Sequence, residues 1–476
     1  MSFCEERPKK GMKGWAPTIH LNIGFVVGVL FMLLIYLVVS QQAAISGLGV
    51  ATTLAQWIAE KQLIQRPGET LVTSDLQRIL NKQLVQGSGE SAENGEVVHN
   101  TKGYYSETCE VNGDVRVNGT ALSVSLIPSS RSERREWRIQ PYSRKTLPGI
   151  RAVTVMQLPD KATAPACTAR YSVPAVLFAV GGLTGNFWHD FTDVLVPLFV
   201  ASRRYDGEVQ LLITNAQPWW PAAYAPILRR LSRYDVVDLD AGDEHVRCFP
   251  RVTVGIHMHK DLSIIPEWVP GRRRLSMPDF TGFLRDIYAL PRGVPASLAR
   301  EPGRRPRLLL IDRRHSRRFM NVQEVLRAAE AAGFEAASID LRRDAGVEAQ
   351  ARAVNSHDVL LGVHGAGLAN MLFLPPGGVL IQVVPYGKLE HIARMEYGEP
   401  AKDMGLRYLE YSVAAEESTL METLGPEHPA IKDPDAIHRS GWNNMTEFYL
   451  NKQSVRVDVA RFAPTLAQAF DHLRRQ

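Results

Sequence analysis

The sequence has no strong charge imbalance, since 55 Lys and Arg residues face 50 Asp and Glu and leave a formal net charge of +5 over 476 residues. Such a small excess does not indicate a nucleic-acid-binding protein, so no nucleic-acid partner is expected. Cysteine is scarce, with four residues in the whole chain. The hydrophobic fraction of 45% is ordinary for a globular protein, and the length suits two compact α/β units plus a tail.

One long apolar run, residues 21–39, lies close to the N-terminus. About 19 helical residues span roughly 28 Å, which is close to the hydrocarbon thickness of a bilayer, and no cleavage site of small residues follows at once. Four basic residues precede the run, whereas residues 41–53 contain neither Lys nor Arg. The positive-inside rule therefore predicts a cytosolic tail (1–18), a single uncleaved transmembrane anchor (19–40) and a chain that continues on the lumenal side.

The segment after the anchor, residues 41–105, is polar and poor in aromatic residues, with a small-residue stretch from Gln86 to Gly95. It is predicted to be a stem that holds the folded part away from the membrane. Two acceptor sequons, at Asn118 and Asn444, fit a lumenal location and are expected to be glycosylated.

Cysteine pairing follows from the same topology, because Cys4 is then cytosolic and three cysteines face an oxidising compartment. Three is an odd number, so at most one intramolecular disulfide forms. Cys109–Cys167 is the expected pair because both residues precede the first clear strand, although spacing alone leaves the connectivity open.

From residue 173 onward, short apolar runs alternate with helical patterns, which predicts parallel sheets with right-handed crossovers. A proline-rich stretch between residues 290 and 306 separates two such blocks, so two Rossmann-like domains facing a cleft are predicted, over 106–295 and 296–476. The predicted strands are 175–180, 209–214, 236–239, 308–311, 336–339, 359–363 and 379–384, and the predicted helices cover 188–203, 224–231 and 280–290 or begin near 321, 347 and 367. In open α/β sheets, ligands bind at the carboxyl ends of the strands.

A glycine-rich turn follows the strand predicted over 359–363, and its residues are His364, Gly365, Ala366, Gly367 and Leu368. Free N–H groups at the start of a helix favour a diphosphate, and a histidine can donate a hydrogen bond to a phosphate oxygen, more strongly when protonated. The alternative is that the glycines only allow close packing of the helix on the strand.

An arginine-rich segment, residues 312–318, directly follows the strand predicted over 308–311. Arginines at the carboxyl end of a strand can bind phosphates in a bidentate manner. Arg313 and Arg317 are four residues apart and could share one face, so they are the predicted phosphate ligands. For Arg314 and Arg318 a solvated basic loop is the preferred interpretation.

A third candidate segment, residues 185–193, follows the first predicted strand and contains His189 and Asp193 at helical i, i+4 spacing. A histidine oriented by a carboxylate is a plausible general base, and Asp193 itself could be that base instead. Asn186 and Trp188 are candidates for contact with an acceptor. The alternative is a helix cap at Asn186 and a purely structural His–Asp pair.

Asp238-Leu239-Asp240 matches the short D-x-D pattern that holds a divalent metal and a nucleotide diphosphate in some transferases. The pattern is common by chance, and the residues after it read equally well as a turn at the end of a strand. No metal site is therefore predicted.

Together these segments resemble glycosyltransferase family 61, from about Cys109 to the C-terminus. The resemblance rests on the segment from Val173 to Leu198, on Arg313 with Arg317 and Asn321, and on the block from His364 to Leu368. It implies an inverting enzyme of the GT-B arrangement that does not depend on a metal and needs no cofactor beyond its UDP-sugar donor. The N-terminal domain would then bind the acceptor and the C-terminal domain the UDP-sugar.

The segments 404–411 and 416–420 are similar to the grass clade that decorates xylan, whose members add arabinofuranose or xylose. The resemblance therefore implies a Golgi type II membrane protein that transfers a pentose from a UDP-sugar to xylan or xylo-oligosaccharides. Animal relatives transfer GlcNAc to proteins, so a protein-linked acceptor is one alternative. A catalytically weak scaffold in a complex with other xylan-synthesis enzymes is another.

Two residues depart from the family pattern. Asp312 stands where a serine is common, and Gln382 stands where much of the wider family has glutamate. Either residue could alter the choice of donor.

Overall fold

The computed structural model describes residues 95–476, apart from 102, 104, 243, 272–273, 299–300, 302 and 342–344. The predicted cytosolic tail and anchor, and the predicted stem up to residue 94, lie outside the described residues. Among the residues described, no helix is both long and apolar enough to cross a bilayer.

The first sheet is mixed and has ten strands, in the order β4-β5-β3-β2-β10-β7-β8-β9, with β1 paired to β2 and β6 to β10. The strands are β1 (Glu96–Asn100), β2 (Thr108–Asn118), β3 (Ser123–Ile127), β4 (Arg135–Ile139), β5 (Val153–Gln157), β6 (Ala169–Arg170), β7 (Ala175–Ala179), β8 (Gln210–Thr214), β9 (Val237–Asp238) and β10 (Val246–Val254). Strands β10, β7, β8 and β9 pair in parallel, and this part contains the three strands predicted between residues 175 and 239.

The antiparallel extension of this sheet was not predicted. Strand β2 pairs antiparallel with β1, β3 and β10, and the described residues between the first three strands form no helix. Because these strands are not separated by helical patterns, the alternation on which the prediction depended is missing there. Strand β1 also corrects the stem boundary, since residues 96–100 belong to the sheet rather than to an unstructured stem ending at residue 105.

The second sheet has five strands, all parallel, in the order β12-β11-β13-β14-β15. Its strands are β11 (Arg307–Ile311), β12 (Glu335–Ile339), β13 (Val359–Val363), β14 (Val379–Val384) and β15 (Arg407–Ser412). The first four match the predicted runs to within a residue. The fifth, β15, was not predicted because its alternating exposure breaks the continuous apolar run expected of a buried parallel strand.

The helices pack around both sheets. They are α1 (Phe187–His189), α2 (Val196–Arg203), α3 (Trp219–Ala223), α4 (Ala225–Leu231), α5 (Met277–Ile287), α6 (Val322–Ala331), α7 (Val347–Asn355), α8 (Glu390–Ala393), α9 (Glu399–Asp403), α10 (Thr419–Leu424), α11 (Pro429–Lys432), α12 (Pro434–Arg439), α13 (Trp442–Met445) and α14 (Val459–Arg474). A π-helical segment, Asp190–Leu195, joins α1 to α2, and another, Arg394–Gly398, joins α8 to α9. The helix expected near residue 367 is a 3₁₀ helix, Ala366–Phe373.

One hydrophobic core runs from the helices beside the first sheet to the elements of the second. The buried ring of Phe191 lies between them, with ring centroids 5.9 Å from Tyr224, 6.3 Å from Phe280 and 6.1 Å from Phe373. Burying a phenylalanine side chain stabilises a fold by about 1.5–3 kcal/mol. The shared core therefore positions the segment that contains His189 and Asp193 against the second sheet.

The disulfide joins Cys167 to Cys248, with a Cα–Cα distance of 6.0 Å, so the predicted Cys109–Cys167 pair is wrong. Strand β6 pairs with β10 at Arg170 and Cys248, which brings Cys167 next to Cys248. Cys109 lies farther along, opposite Val254 on β10, and is a buried free thiol. The pairing of β6 with β10 decided the connectivity of two cysteines that are 81 residues apart, and spacing in the sequence does not indicate such a pairing.

Candidate active site

Helix α1 lies directly against the 3₁₀ helix Ala366–Phe373. The first of these elements carries His189, and the second begins at the glycine-rich turn after β13. Asn186 caps α1, since its Oδ1 accepts a hydrogen bond from the backbone N–H of Trp188 at 3.1 Å. Two of the segments singled out in the sequence, more than 170 residues apart, therefore meet in the fold.

The first group of charged residues, which we call the His189 cluster, consists of Tyr142, Arg144, His189, Asp193 and Asp261. Asp193 is at its centre and is fully buried. Its Oδ2 lies 2.9 Å from His189 Nδ1 and accepts a hydrogen bond of 2.8 Å from the Tyr142 hydroxyl. Its Oδ1 accepts from Arg144 at 2.9 Å, and the same guanidinium donates to Asp261 at 3.2 Å.

The electrostatics of the cluster keep Asp193 ionised. Burial by itself would raise the pKa of Asp193, but the hydrogen bond from His189 and the charge and hydrogen bonds of Arg144 lower this pKa below its usual value. Burial opposes the charge of Arg144, yet Asp193 and Asp261 raise the pKa of its guanidinium. Burial likewise raises the pKa of Asp261.

The ionised Asp193 determines which tautomer His189 adopts. A carboxylate has no proton to give, so Nδ1 of His189 donates to it and Nε2 is left with its lone pair. The His189 side chain is 19% exposed, whereas Asp193 is completely enclosed. The geometry therefore suits His189 as the group that accepts a proton and Asp193 as the group that orients it.

The second group, the His364 turn, consists of Arg313, Arg317, His364, Gly365 and Gln382. Gly365 has a backbone φ of +142°, and a Cβ placed on it would lie 2.6 Å from Arg313 Nη1 and 2.9 Å from Arg317 Nη1. Only glycine leaves room for both guanidinium groups over the turn. Arg317 Nη1 also donates to the carbonyl of His364 at 3.1 Å, and Arg313 Nε donates to the carbonyl of Ser316 at 3.1 Å.

Gln382 determines which ring nitrogen of the buried His364 carries the proton. The Gln382 Nε2 donates to Nδ1 of His364 at 2.8 Å, while the Gln382 Oε1 accepts from the Tyr408 hydroxyl at 2.9 Å. Burial, followed by the charges of Arg317 and Arg313, lowers the pKa of His364 to about 3. His364 is therefore neutral, with its proton on Nε2, and the stronger hydrogen bond expected from a protonated ring does not apply near neutral pH.

The two arginines of the turn keep their charge without a carboxylate partner. Among the described residues neither guanidinium forms an ion pair, and the buried Nε of Arg317 has no hydrogen-bond partner. Burial and the neighbouring Arg313 lower the pKa of Arg317 to about 10, and burial lowers the pKa of Arg313. Two closely spaced, uncompensated cations are the arrangement expected of an anion site.

The other two arginines of the loop point elsewhere. Arg314 pairs with Asp340 at 2.5 Å and is mostly exposed, and Arg318 lies on the surface near Met320. Leu368 is fully buried, and a Cβ on Gly362 would lie 2.9 Å from its Cδ2. Leu368 therefore packs beneath the turn and supports its shape.

Four residues around the site were not predicted from the sequence, namely Tyr142, Arg144, Asp261 and Glu396. The first three come from loops without a recognisable pattern and reach Asp193 or Arg144 across 49 to 117 residues of chain. Glu396 lies in the π-helical segment Arg394–Gly398, and its Oε2 is 3.6 Å from His364 Nε2. Such segments occur frequently at functional sites, but nothing in the sequence marks this one.

Trp188, which was a candidate for acceptor contact, and the two carboxylates of the D-x-D segment all lie in structural surroundings, as does the neighbouring aromatic residue Trp220. Trp188 is 7% exposed and Trp220 is completely buried, with its Nε1 donating to Asp190 at 3.0 Å, so neither presents a ring face to solvent. In the D-x-D segment, Asp240 accepts hydrogen bonds from Thr214, Ala216 and Arg151, all at 3.0 Å. Asp238 accepts from the backbone N–H of Asp240 at 2.8 Å, as in a turn.

Residues 187–381 match the family model described as Glycosyltransferase 61. The Beta-1,2-xylosyltransferase XYXT1 of Oryza sativa subsp. japonica is 45% identical over 390 residues, which are 78% of this chain and 83% of that protein. The Alpha-1,3-arabinosyltransferase XAT3 of the same plant is 41% identical and covers 78% of this chain and 64% of its own length. The Xylan glycosyltransferase MUCI21 of Arabidopsis thaliana is 33% identical, covering 77% of this chain and 78% of its own.

Proposed function

Because the chain belongs to glycosyltransferase family 61, we propose that it transfers a pentose, arabinofuranose or xylose, from a UDP-sugar to xylan. The names of the similar proteins support the pentose, since they specify xylosyl and arabinosyl transfer, and one of them specifies xylan. The main structural support for this proposal is the contact between α1 and the 3₁₀ helix, which brings a candidate general base close to a candidate diphosphate site.

The proposed reaction is a single displacement at the anomeric carbon. The acceptor hydroxyl gives its proton to His189 Nε2 as its oxygen forms the new glycosidic bond. The bond between the anomeric carbon and the phosphate oxygen breaks at the same time, and its electron pair leaves with UDP. Arg313, Arg317 and the N–H of His364 Nε2 would offset the charge that develops on the departing diphosphate.

Asp193 acts in this scheme through His189. Its oxygens are already occupied by His189, Tyr142 and Arg144, and no part of its side chain is exposed to an acceptor. We therefore assign proton transfer to His189. Asp193 is assigned the orientation of the ring and the stabilisation of the imidazolium, as in other histidine–carboxylate pairs.

The two sheets support the GT-B interpretation, with the acceptor bound by the first sheet's half of the molecule and UDP by the parallel second sheet. The cations of the His364 turn would supply the charge that a metal supplies in other transferases, so we propose that turnover is independent of a divalent metal.

We further propose that the protein is a single-pass type II protein of the Golgi membrane, as the residue pattern at 1–53 predicts. Asn118 lies at the end of β2 and Asn444 is an exposed residue of α13. Replacing each by glutamine should remove one enzyme-sensitive glycan per site from the protein isolated from plant cells. A protein that carries no glycan at either site would contradict the lumenal assignment.

The test of the activity is UDP release by the full-length protein purified in detergent. UDP-arabinofuranose and UDP-xylose are supplied in parallel with xylo-oligosaccharides, with and without EDTA, and an O-mannosylated peptide serves as the alternative acceptor. Turnover that requires the xylo-oligosaccharide and survives EDTA is expected with one donor. If neither donor gave UDP release, or if only the peptide were an acceptor, the proposed activity would be contradicted. Loss of turnover in EDTA would contradict the proposed metal independence.

A further inference from the structure

The carboxyl group of Glu396 stands out because it is largely enclosed, yet it forms no hydrogen bond with any group in the described part of the chain. Its side chain is 20% exposed, and among the described residues its nearest recorded polar contact is His364 Nε2, at 3.6 Å. The side chain keeps some contact with solvent, so its oxygens can reach a molecule bound in the site. A carboxyl that is left with free hydrogen-bonding capacity inside a candidate active site therefore points to a ligand.

The charge of Glu396 interacts with both charged groups of the site. Its pKa responds to the charges of Asp261 and Arg144, which belong to the His189 cluster, and to the charge of Arg317, which belongs to the His364 turn. The buried ring of Tyr397, the next residue, packs edge-on against His364 at 5.5 Å and fixes the π-helical segment beside the turn. Glu396 thus lies beside the proposed diphosphate site, and its charge also interacts with the residues of the His189 cluster.

We propose that Glu396 binds a hydroxyl group of the transferred pentose and so helps to determine which UDP-pentose the enzyme accepts. This inference rests on the proposed function. The order of groups in a UDP-sugar supports this role of Glu396, because the diphosphate would bind the two arginines and the acceptor hydroxyl would contact His189. The group that must lie between them is the sugar, whose hydroxyls are suitable partners for a carboxyl.

A role toward the phosphates is left to the two arginines, because their positive charges attract a diphosphate and a carboxyl group supplies none. Burial, followed by the charge of Asp261, raises the pKa of Glu396 to about 8. Glu396 is therefore mainly protonated at neutral pH, when it can both donate and accept a hydrogen bond. A glutamine has the same shape and the same two capacities, so it should replace the protonated glutamate well.

The test compares Glu396→Ala and Glu396→Gln with the control Glu399→Ala in the full-length protein. Glu399 lies three residues on, is exposed and pairs only loosely with Lys260 at 3.5 Å. Calorimetry measures the affinity for UDP and for each UDP-pentose, and initial rates give KM and kcat/KM for both donors. Thermal melting verifies that each variant is folded.

Glu396→Ala is expected to weaken binding of the preferred UDP-pentose about tenfold or more and to reduce the preference between the two donors. Its affinity for UDP should stay within about twofold of the wild-type value. Glu396→Gln should stay within about threefold of wild type at pH 7, and Glu399→Ala should match wild type. Equal loss of UDP and UDP-pentose affinity in Glu396→Ala, or no loss of either, would overturn the inference. A wild-type protein that binds UDP-pentoses but transfers neither pentose would instead refute the proposed function. The difference between the UDP and UDP-pentose affinities of Glu396→Ala would still decide the role of Glu396.

Discussion

The His189 cluster and the His364 turn both contain arginines, but they differ in how charge is compensated. In the His189 cluster, Arg144 is held between two carboxylates, and Asp193 accepts from three side chains. In the His364 turn, Arg313 and Arg317 donate to backbone carbonyls and form no ion pair among the residues described. The first is internally satisfied, and the second retains positive charge that nothing in the described chain neutralises.

The two groups are therefore suited to different tasks. A fully hydrogen-bonded network holds the ring of His189 in one orientation, so its Nε2 can accept a proton from a substrate without rearrangement of the surrounding side chains. Two partly buried arginines without a carboxylate partner destabilise the fold, and an anion that binds to both offsets this cost. We therefore expect changes in the His189 cluster to affect kcat and changes in the His364 turn to affect donor affinity.

The largest expected effect comes from His189→Ala, which removes the proposed base. We expect kcat to fall by about 10²–10⁴, with UDP affinity nearly unchanged, because the turn that binds the donor is untouched. Single-turnover rates and calorimetry with UDP measure the two effects separately. His391, an exposed histidine on α8, is the matched control. A kcat within about tenfold of wild type in folded protein would make a base role untenable.

Next in size are Arg313→Ala and Arg317→Ala. Each should weaken UDP binding by about 10–100-fold, since a charge-assisted hydrogen bond contributes about 1.5–3 kcal/mol. Arg314→Ala is the control, because that side chain lies outside the turn and pairs with Asp340. If Arg314→Ala weakened UDP binding as much as the other two variants, binding would reflect general loop charge and the distinction between the arginines would fail.

A smaller, pH-dependent effect is expected at Gln382. With a His364 pKa of about 3, wild-type affinity for UDP-xylose should not change through this residue between pH 7 and pH 5. Gln382→Glu places a carboxylate beside Nδ1, raises the pKa of His364 and should make affinity increase as pH falls, because a protonated ring attracts the diphosphate. We expect a gain of up to about tenfold, measured by calorimetry.

The matched control is the double variant that adds His364→Asn, which should remove the pH response. If the wild-type protein itself bound UDP-xylose more tightly on acidification, and the double variant did not, then His364 would protonate in the ordinary range and Gln382 would not hold it neutral.

The smallest effect is expected from Tyr142→Phe, which removes one of the hydrogen bonds to Asp193. Loss of a bond to a buried charge should lower the free energy of unfolding by about 1–3 kcal/mol and reduce kcat a few-fold. Denaturant unfolding and initial rates test this prediction. An unchanged stability would mean that Asp193 is held by His189 and Arg144 alone, and the network would be less interdependent than we infer.

Part of the site was evident in the sequence because it is local. His189 and Asp193 are four residues apart, and the glycine-rich turn directly follows a buried strand. The residues around them were not evident, since Arg144 meets Asp193 and Asp261 only after distant loops pack together. The disulfide was mispredicted for the same reason, because the partner of Cys167 depends on which strand lies beside β6.

Four of the five strands of the second sheet, three parallel strands of the first and the three segments that contain the candidate site residues were predicted from the sequence alone. Apolar runs and i, i+4 spacing are short-range properties, so they can be read along the chain. The packing of α1 on the 3₁₀ helix, the antiparallel half of the first sheet and the position of Glu396 beside His364 could be seen only in the folded structure. These features depend on contacts between residues far apart in the chain, where burial and charge are set by packing rather than by local pattern.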